Sequence, residues 1–565
     1  MRPQHHTAVA APDPLVPAAL DSDVRAAISD ARGGLSMISF AQAAQDFGLH
    51  LAASPFRCAE LAGEAVRTAW TGFAADDTPP DDPRFRGDAW AAWPFGAYAR
   101  AFLGTEQWWT KAIAETPGVT QHHKDLLAFM TRQWLDTMAP SNYAATNPEA
   151  LARALQTGGL SLLAGGLAAY ADAVARFDGG AAPKFKVGRD VAATPGRVVL
   201  RTDLAEVIQY NPTTDQVHPE PVVIVPAPIM KYYVLDLTPE QSMVRALLDQ
   251  GFTVFMISWK NPGTEDRDKG FDAYIEDGLL AAFEIARKIT GSPKLHAAGY
   301  CVGGTLLTMA AAALARDGDD RLASLSLLAS QADFTEAGEL RLFIDEAQVS
   351  LLEDAMRSRG YLRADQMGAT FQALRANDLI WSHVTRAYLL GEPPQVTALD
   401  AWSADTTRLP YRFESQNLRS LYLENDLAEG RLTVGGRPVA LPDIDVDLFL
   451  VATEHDHIAP WRSVYKFLLL CENDITFLLV NHGHNVGIVA PLGDPNRRYR
   501  TLHLAPMGAY VDPDAWLAQA AVHQGSWWGP WFDWLKSRSG ALSAPPSRKG
   551  GRDLGAAPGA YVTAP

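Results

Sequence analysis

A chain of 565 residues exceeds what one hydrophobic core organises, about 250–300 residues, so at least two domains are expected. Its 47% hydrophobic and 20% charged residues describe a globular protein, and a net charge of −16 argues against nucleic acid as the main partner, though a local basic patch can still meet an anionic ligand. Three cysteines, Cys58, Cys301 and Cys471, share no C-x-x-C spacing, which argues against a disulfide framework or a thiolate metal site and suggests a reducing cytoplasm.

Along the chain, Pro12, Asp13, Pro14 and Pro17 interrupt any signal-peptide core, and no window approaches the ~18 apolar residues of a membrane span, so a cytoplasmic protein is expected. Residues 1–35 read as disordered. Residues 36–186 read as a helical domain, with three-to-four apolar spacing in segments such as 122–138 and loop punctuation at Asp81-Asp82-Pro83 and Ser141-Asn142. From about Val187 apolar runs at 222–228, 253–259, 294–300, 322–330, 446–456 and 475–480 alternate with helical stretches such as 239–250 and 274–289. That alternation predicts an α/β domain over 187–540 with a mostly parallel sheet covered on both faces. Residues 331–440 break the rhythm and are expected to form a cap over the sheet's carboxyl edge. Residues 541–565 read as a disordered tail.

Gly299-Tyr300-Cys301-Val302-Gly303-Gly304 follows a predicted strand and opens a predicted helix, the context of a nucleophile elbow in the α/β-hydrolase fold. Gly299 and Gly303 let strand and helix approach, and the helix N-terminus favours a Cys301 thiolate. The Val302 N–H is one expected oxyanion donor. The second falls to the loop Pro226-Ala227-Pro228-Ile229, where prolines cannot donate; Ile229 is preferred and Ala227 is the alternative. The bland alternative is an inert buried cysteine on a glycine turn, a role assigned to Cys58 and Cys471.

A hydrolase triad runs nucleophile, acid, histidine, each at a strand end. Asp456 closes one apolar run and His484 lies in the glycine turn after the next, so Cys301…Asp456…His484 fits. His484 then accepts the proton of Cys301 and Asp456 orients the imidazole. His455, His457 and His482 are read as neighbours of the site, and Asp333 as an alternative acid. No ligand cluster with zinc spacing, P-loop or G-x-G-x-x-G occurs, so neither metal nor redox cofactor is expected. Cysteine in place of serine keeps a transferred acyl group activated as a thioester; attack by an alcohol is then downhill, provided water is excluded.

Gly-Tyr-Cys-Val-Gly-Gly, Asp456-His457-Ile-Ala-Pro-Trp, Lys231-Tyr232-Tyr233-Val-Leu-Asp236-Leu, Ser258-Trp259-Lys-Asn261-Pro262, Thr146-Asn147-Pro148-Glu149-Ala150, Asn377-Asp378-Leu-Ile-Trp381, Trp402-Ser-Ala-Asp405-Thr and Gly525-Ser526-Trp527-Trp528 resemble motifs of the single-subunit (class I-like) polyhydroxyalkanoate synthases over residues 80–565. The resemblance implies an acyltransferase that polymerises (R)-3-hydroxyacyl-CoA into polyester such as poly-3-hydroxybutyrate, with release of coenzyme A. It implies a cysteine that carries the growing chain, an N-terminal domain linked to polyester granules, an active homodimer, and no cofactor beyond the CoA thioester. Granule-coating proteins are possible partners. How Asp456 and His484 divide the activation of thiol and hydroxyl stays open. The Tyr-Cys-Val elbow suggests short-chain monomers. Two departures stand out: Asn-Val-Gly follows His484 where better-known members have Ile-Ala-Gly, and Tyr-Arg-Phe-Glu-Ser-Gln-Asn follows Leu409-Pro410 where an aromatic-rich run is usual. Trp90, Trp93, Trp108, Trp109 and Trp134 are assigned to helix packing before a granule surface, and Trp527, Trp528, Trp531 and Trp534 to core. Arg497, Arg498 and Arg500 are either CoA-phosphate contacts or a solvated loop. The competing functions are a cysteine thioesterase or intracellular polyester depolymerase, and a non-catalytic granule-coating protein.

Overall fold

The computed structural model describes residues 17–31, 34–72, 78, 80–177, 184–366, 380–393, 396–504, 510–546 and 551–564. They form two compact units, one of Met1–Ser36, Val187–Met367 and Asp405–Pro565, the other of Met37–Lys186 with Gly368–Ala404. Of the motif residues, Asn377 and Asp378 lie outside the described residues.

Among the described residues seven α-helices precede the sheet: α1 Pro17–Ala31, α2 Met37–Ala52, α3 Pro55–Gly72, α4 Phe95–Glu115, α5 Gln121–Thr137, α6 Pro148–Gln156 and α7 Leu160–Phe177. Helices α2 to α7 belong to the smaller unit, whose packing centres on Phe85, Trp90, Phe102 and Leu135, and on Ala43, Ile113, Leu126 and Leu127. The Thr146–Ala150 motif is a helix start: Asn147 Oδ1 accepts the N–H groups of Glu149 and Ala150 at 3.0 and 3.1 Å, and Pro148 fills the first helical position, where no N–H is needed. The tryptophans divide. Trp90 is core, whereas Trp93 and Trp134 are 85% and 56% exposed. Among the described residues no single helix is long and apolar enough to cross a membrane; α6 and α7 suffice only jointly, and a 112° bend separates them.

Among the described residues the larger unit is built on a main sheet of ten strands: β1 Gly196–Arg201, β2 Ala205–Tyr210, β3 Val222–Val225, β4 Val254–Trp259, β5 Leu295–Tyr300, β6 Leu322–Leu328, β7 Leu448–Thr453, β8 Ile475–Val480, β9 Arg498–Leu504 and β10 Ala521–Gln524. Their order is β1-β2-β4-β3-β5-β6-β7-β8-β9-β10. The run from β4 to β8 is parallel throughout, and antiparallel strands finish both sides. Parallel strands need both faces covered, which explains why β3, β4, β5 and β7 are buried at every position and apolar apart from Ser258, His296 and Thr453. Helices α8 Met243–Asp249, α9 Ala281–Thr290 and α10 Val302–Arg316 follow β3, β4 and β5; α10 is buried from Gly303 to Leu314. This is the α/β-hydrolase architecture expected from the strand–helix alternation, with the loops after β5, β7 and β8 at one carboxyl edge.

Three boundaries differ from the expected ones. Residues 17–31 form a helix, where 1–35 read as disordered. Helix α1 packs on α11, Glu346–Arg359: Ser22 Oγ donates to the buried Asp354 at 2.7 Å, Arg25 pairs with the same carboxylate, and Asp30 pairs with Arg359. Those partners lie more than 300 residues away, beyond the reach of local pattern. The tail is also built. Leu554 N–H and Gly555 C=O bond Val198 at 3.0 Å each, and Glu206 accepts the N–H groups of Ala560 and Tyr561 at 2.8 and 2.9 Å. Edge pairing uses backbone, so its Gly/Ala/Pro composition gave no sign of it. Finally, the 331–440 segment is divided, since Gly368–Ala404 groups with the helical unit: His383 and Tyr388 bond Asp172 of α7 at 3.1 and 2.7 Å.

Candidate active site

Cys301 caps α10 at the end of β5 with φ 54° and ψ −132°, a conformation rare for an L-residue and characteristic of a nucleophile elbow. The turn leaves no room for side chains at its glycines. A Cβ on Gly303 would lie 2.4 Å from the Val225 carbonyl oxygen, and one on Gly299 2.4 Å from Gly304 Cα. Val302, the first residue of α10, offers its N–H at the helix start.

After β7, Asp456 turns back into a loop that satisfies its carboxylate fully. The N–H groups of Ile458 and Ala459 reach Oδ1 at 2.9 and 2.8 Å, and Thr453 Oγ1 reaches Oδ2 at 2.8 Å. Oδ2 also meets His484 Nδ1 at 2.8 Å, both side chains being buried. With Nδ1 so engaged, the hydrogen bond between His484 and Cys301 falls to Nε2. Burial opposes charge on both members of the pair, yet each favours the ion. His484 stands well above its ordinary pKa because the Asp456 carboxylate and then Cys301 outweigh desolvation. Asp456 stands below its own because His484 and the N–H and O–H donors outweigh the same penalty. The structure thus brings Cys301, Asp456 and His484 together in the order expected from their strand ends.

The loop after β3, Pro226 to Ile229, is braced from several sides. Its carbonyls are occupied: Trp259 Nε1 donates to Pro226 at 2.8 Å and Thr407 Oγ1 to Pro228 at 2.7 Å. Ala227 and Ile229 are both buried there. Several motif residues supply the bracing. Tyr233 donates to Asp405 at 2.8 Å, Asn261 accepts the Arg408 N–H at 2.9 Å, and the Lys231 ammonium donates to the Ala564 carbonyl at 3.0 Å.

Other sequence candidates take different places. Asp333 is bound to the Thr335 N–H at 2.9 Å and to Lys466 at 3.3 Å, so it ties its own loop to the segment after β7. His455 donates its backbone N–H to the His482 carbonyl at 3.1 Å, and the His457 carbonyl accepts from Glu339 at 2.9 Å. Arg497 is buried, bonding Asp494 at 2.8 Å and the Val486 carbonyl at 2.6 Å, while Arg498 pairs with Glu454 at 3.2 Å. Cys58 is exposed on α3; Cys471 is buried, and burial pushes its thiol up to about 12. Sequence reasoning missed the support of the histidine loop. Trp527 and Trp528 donate their indole N–H groups to the Gly487 and Ile488 carbonyls at 3.0 and 3.1 Å, and Ser526 bonds the Ala490 carbonyl. The available signal was that a buried indole N–H must find an acceptor.

Within the 331–440 segment Tyr422 meets Phe334 edge to face, 4.9 Å between centroids and 61° between planes. Burial, then Cys301 and Glu414, push its phenol up. Glu414 is itself buried, its carboxylate taking one 3.3 Å bond from Asn417 Nδ2.

Family models give three matches: poly-beta-hydroxybutyrate polymerase (PhaC) N-terminus at residues 81–247, poly-beta-hydroxybutyrate polymerase N terminal at 16–57, and alpha/beta hydrolase fold at 221–491. The poly(3-hydroxyalkanoate) polymerase of Methylorubrum extorquens is 39% identical over 495 residues, covering 86% of this chain and 81% of that protein. A polymerase subunit of Cupriavidus necator is 38% identical over 506 residues, covering 87% and 85%. Poly(3-hydroxyalkanoate) polymerase 1 of Ectopseudomonas oleovorans is 36% identical over 495 residues, covering 85% and 86%.

Proposed function

The chain belongs to the poly(3-hydroxyalkanoate) polymerase family, acyltransferases on the α/β-hydrolase fold, and from that premise we propose that it builds polyester on Cys301 with His484 and Asp456 as its proton-handling pair. The Cys301 thiolate attacks the thioester carbonyl of (R)-3-hydroxyacyl-CoA. The C–S bond to coenzyme A breaks and an acyl–Cys301 thioester forms; the proton taken by His484 leaves with the CoA thiol. The hydroxyl that next attacks the acyl–Cys301 carbonyl gives its proton to the His484–Asp456 pair; the new C–O bond forms as the C–S bond to Cys301 breaks, which lengthens the chain by one ester and leaves the Cys301 thiolate beside protonated His484. Val302 and Ile229, with Ala227 as the alternative to Ile229, donate to the developing oxyanion.

The observation that carries this reading is the 2.8 Å His484–Asp456 bond beside a cysteine in an elbow conformation. The chemistry draws on no metal or cofactor, the coenzyme A thioester being the substrate. Short-chain monomers, a homodimer, and a cytoplasmic location at the surface of polyester granules complete the proposal. Exposed apolar side chains on α7, among them Leu160, Leu163, Leu167 and Tyr170, favour the granule surface as a partner of the helical unit.

The test is release of coenzyme A from 3-hydroxybutyryl-CoA by the full chain, with sedimentation of the product and with Cys301→Ala and Cys301→Ser as controls. Insoluble polyester, lost in Cys301→Ala, is the expected result. Free hydroxy acid alone would identify a thioesterase, and turnover that survives Cys301→Ala would overturn the nucleophile.

A further inference from the structure

The residue before the nucleophile and the residue after the histidine are joined. Tyr300 ends β5 and is buried; its hydroxyl donates to Asn485 Oδ1 at 2.5 Å. Its ring also lies against the His484 imidazole, centroids 5.4 Å apart and planes 35° apart. One side chain therefore holds His484 by its face and holds the next residue by a hydrogen bond. Burial, then Cys301 and the Asp456 carboxylate, keep the phenol above its ordinary pKa, so it remains a neutral donor.

The rest of the histidine loop is fastened farther along. Arg497 bonds the carbonyl of residue 486, Trp527 that of 487 and Trp528 that of 488. Those bonds fix the loop to its own side of the sheet, and Asp456 fixes the Nδ1 edge of the ring. Neither relates the imidazole to the β5–α10 elbow. The Tyr300–Asn485 bond does, because Tyr300 shares the elbow's backbone with Cys301.

We propose that Tyr300 and Asn485 are a pair of positioning residues, a latch between the elbow and the histidine loop that sets the approach of the His484 ring to the Cys301 thiol. The inference rests on the Cys301–His484–Asp456 reading above. Tyr300 touches the imidazole and acts through it; neither residue of the latch handles the transferred acyl group. Without the bond the imidazole keeps Asp456 and its reach to Cys301 but loses the tie that fixes its loop to the elbow, so the thiolate is less well paired and the chemical step slows while substrate binding does not.

Tyr300→Phe, Asn485→Leu and the double variant test this in the full chain. The readouts are kcat and KM for CoA release, melting temperature, and the pH dependence of Cys301 alkylation by iodoacetamide, followed on the Cys301 peptide by mass spectrometry. Tyr300→Phe is expected to lower kcat about 10- to 100-fold, as small misplacements at a reacting centre do, with KM within about twofold. The alkylation midpoint should move to higher pH. Asn485→Leu should behave alike, and the double variant should be no slower than the slower single one, because both remove the same bond. A lower melting temperature with an unmoved alkylation midpoint would reduce the pair to a structural contact and overturn the latch, as would single effects that multiply. Cys301→Ala and His484→Ala run alongside. Turnover in either would refute the triad itself, whereas inactive controls beside a fully active Tyr300→Phe would refute the latch alone.

Discussion

Asp456, a member of the proposed triad, is a carboxylate that also binds a loop together. Four hydrogen bonds converge on it, from Thr453, Ile458, Ala459 and His484. Asp456→Asn keeps the shape but withdraws the charge that holds the imidazole in its tautomer, and turnover is expected to fall by roughly 10³–10⁴ at neutral pH. The pair also has a stability window. The Asp456 pKa is lowered by folding, so its contribution is present above the ordinary carboxylate value and disappears as pH falls through the folded one. The His484 pKa is raised, so its contribution is complete below the ordinary imidazole value and disappears as pH rises through the folded one. Thermal melts of Asp456→Asn against the parent should therefore differ most between about pH 4 and 6.5, by the ~3–5 kcal/mol typical of a broken buried pair, and converge in strong acid.

At the scale of elements, the elbow and the histidine loop respond differently to substitution. Gly303→Ala places a methyl 2.4 Å from the Val225 oxygen and 2.5 Å from the Pro226 oxygen, both backbone. Neither can swing aside, so that variant should lose the folded catalytic unit, read as loss of the cooperative melt. Trp528→Phe removes a single indole donor and leaves the Ile488 carbonyl buried. It should cost about 1–3 kcal/mol and lower the melting temperature while the chain still folds.

These two elements also mark what was legible in advance. The elbow is local: Gly299, Cys301 and Gly303 sit within five residues, and strand and helix periodicity surround them. Asp456 and His484 were legible because one closes an apolar run and the other lies in the glycine turn that follows the next. The Trp527 and Trp528 donors, the Lys231–Ala564 bond and the docking of α1 on α11 were not, since each joins residues far apart in sequence through groups that periodicity does not weigh. The cap boundary failed for a related reason. Helical pattern at 331–440 reports that helices exist, and the grouping of Gly368–Ala404 with the helical unit depends on contacts such as His383 with Asp172.

For the molecule as a whole, the titration of Glu414, outside the proposed triad, reaches its stability. Burial pushes Glu414 up to about 8, against one opposing bond from Asn417. A carboxyl raised by folding contributes stability that is complete below its unfolded value, about 4.5, and is lost as pH rises through about 8. The parent should therefore melt progressively lower from pH 5 to pH 8, and Glu414→Gln should flatten that slope, which differential scanning calorimetry across the range reads directly. The lateral margins of the great sheet carry a separate consequence. On one side residues 552–557 lie along β1, and on the other β10 is only four residues long. An open strand edge invites a second chain to pair with it, and the invitation grows with concentration. Margins so blunted let many copies crowd together without knitting into fibrils.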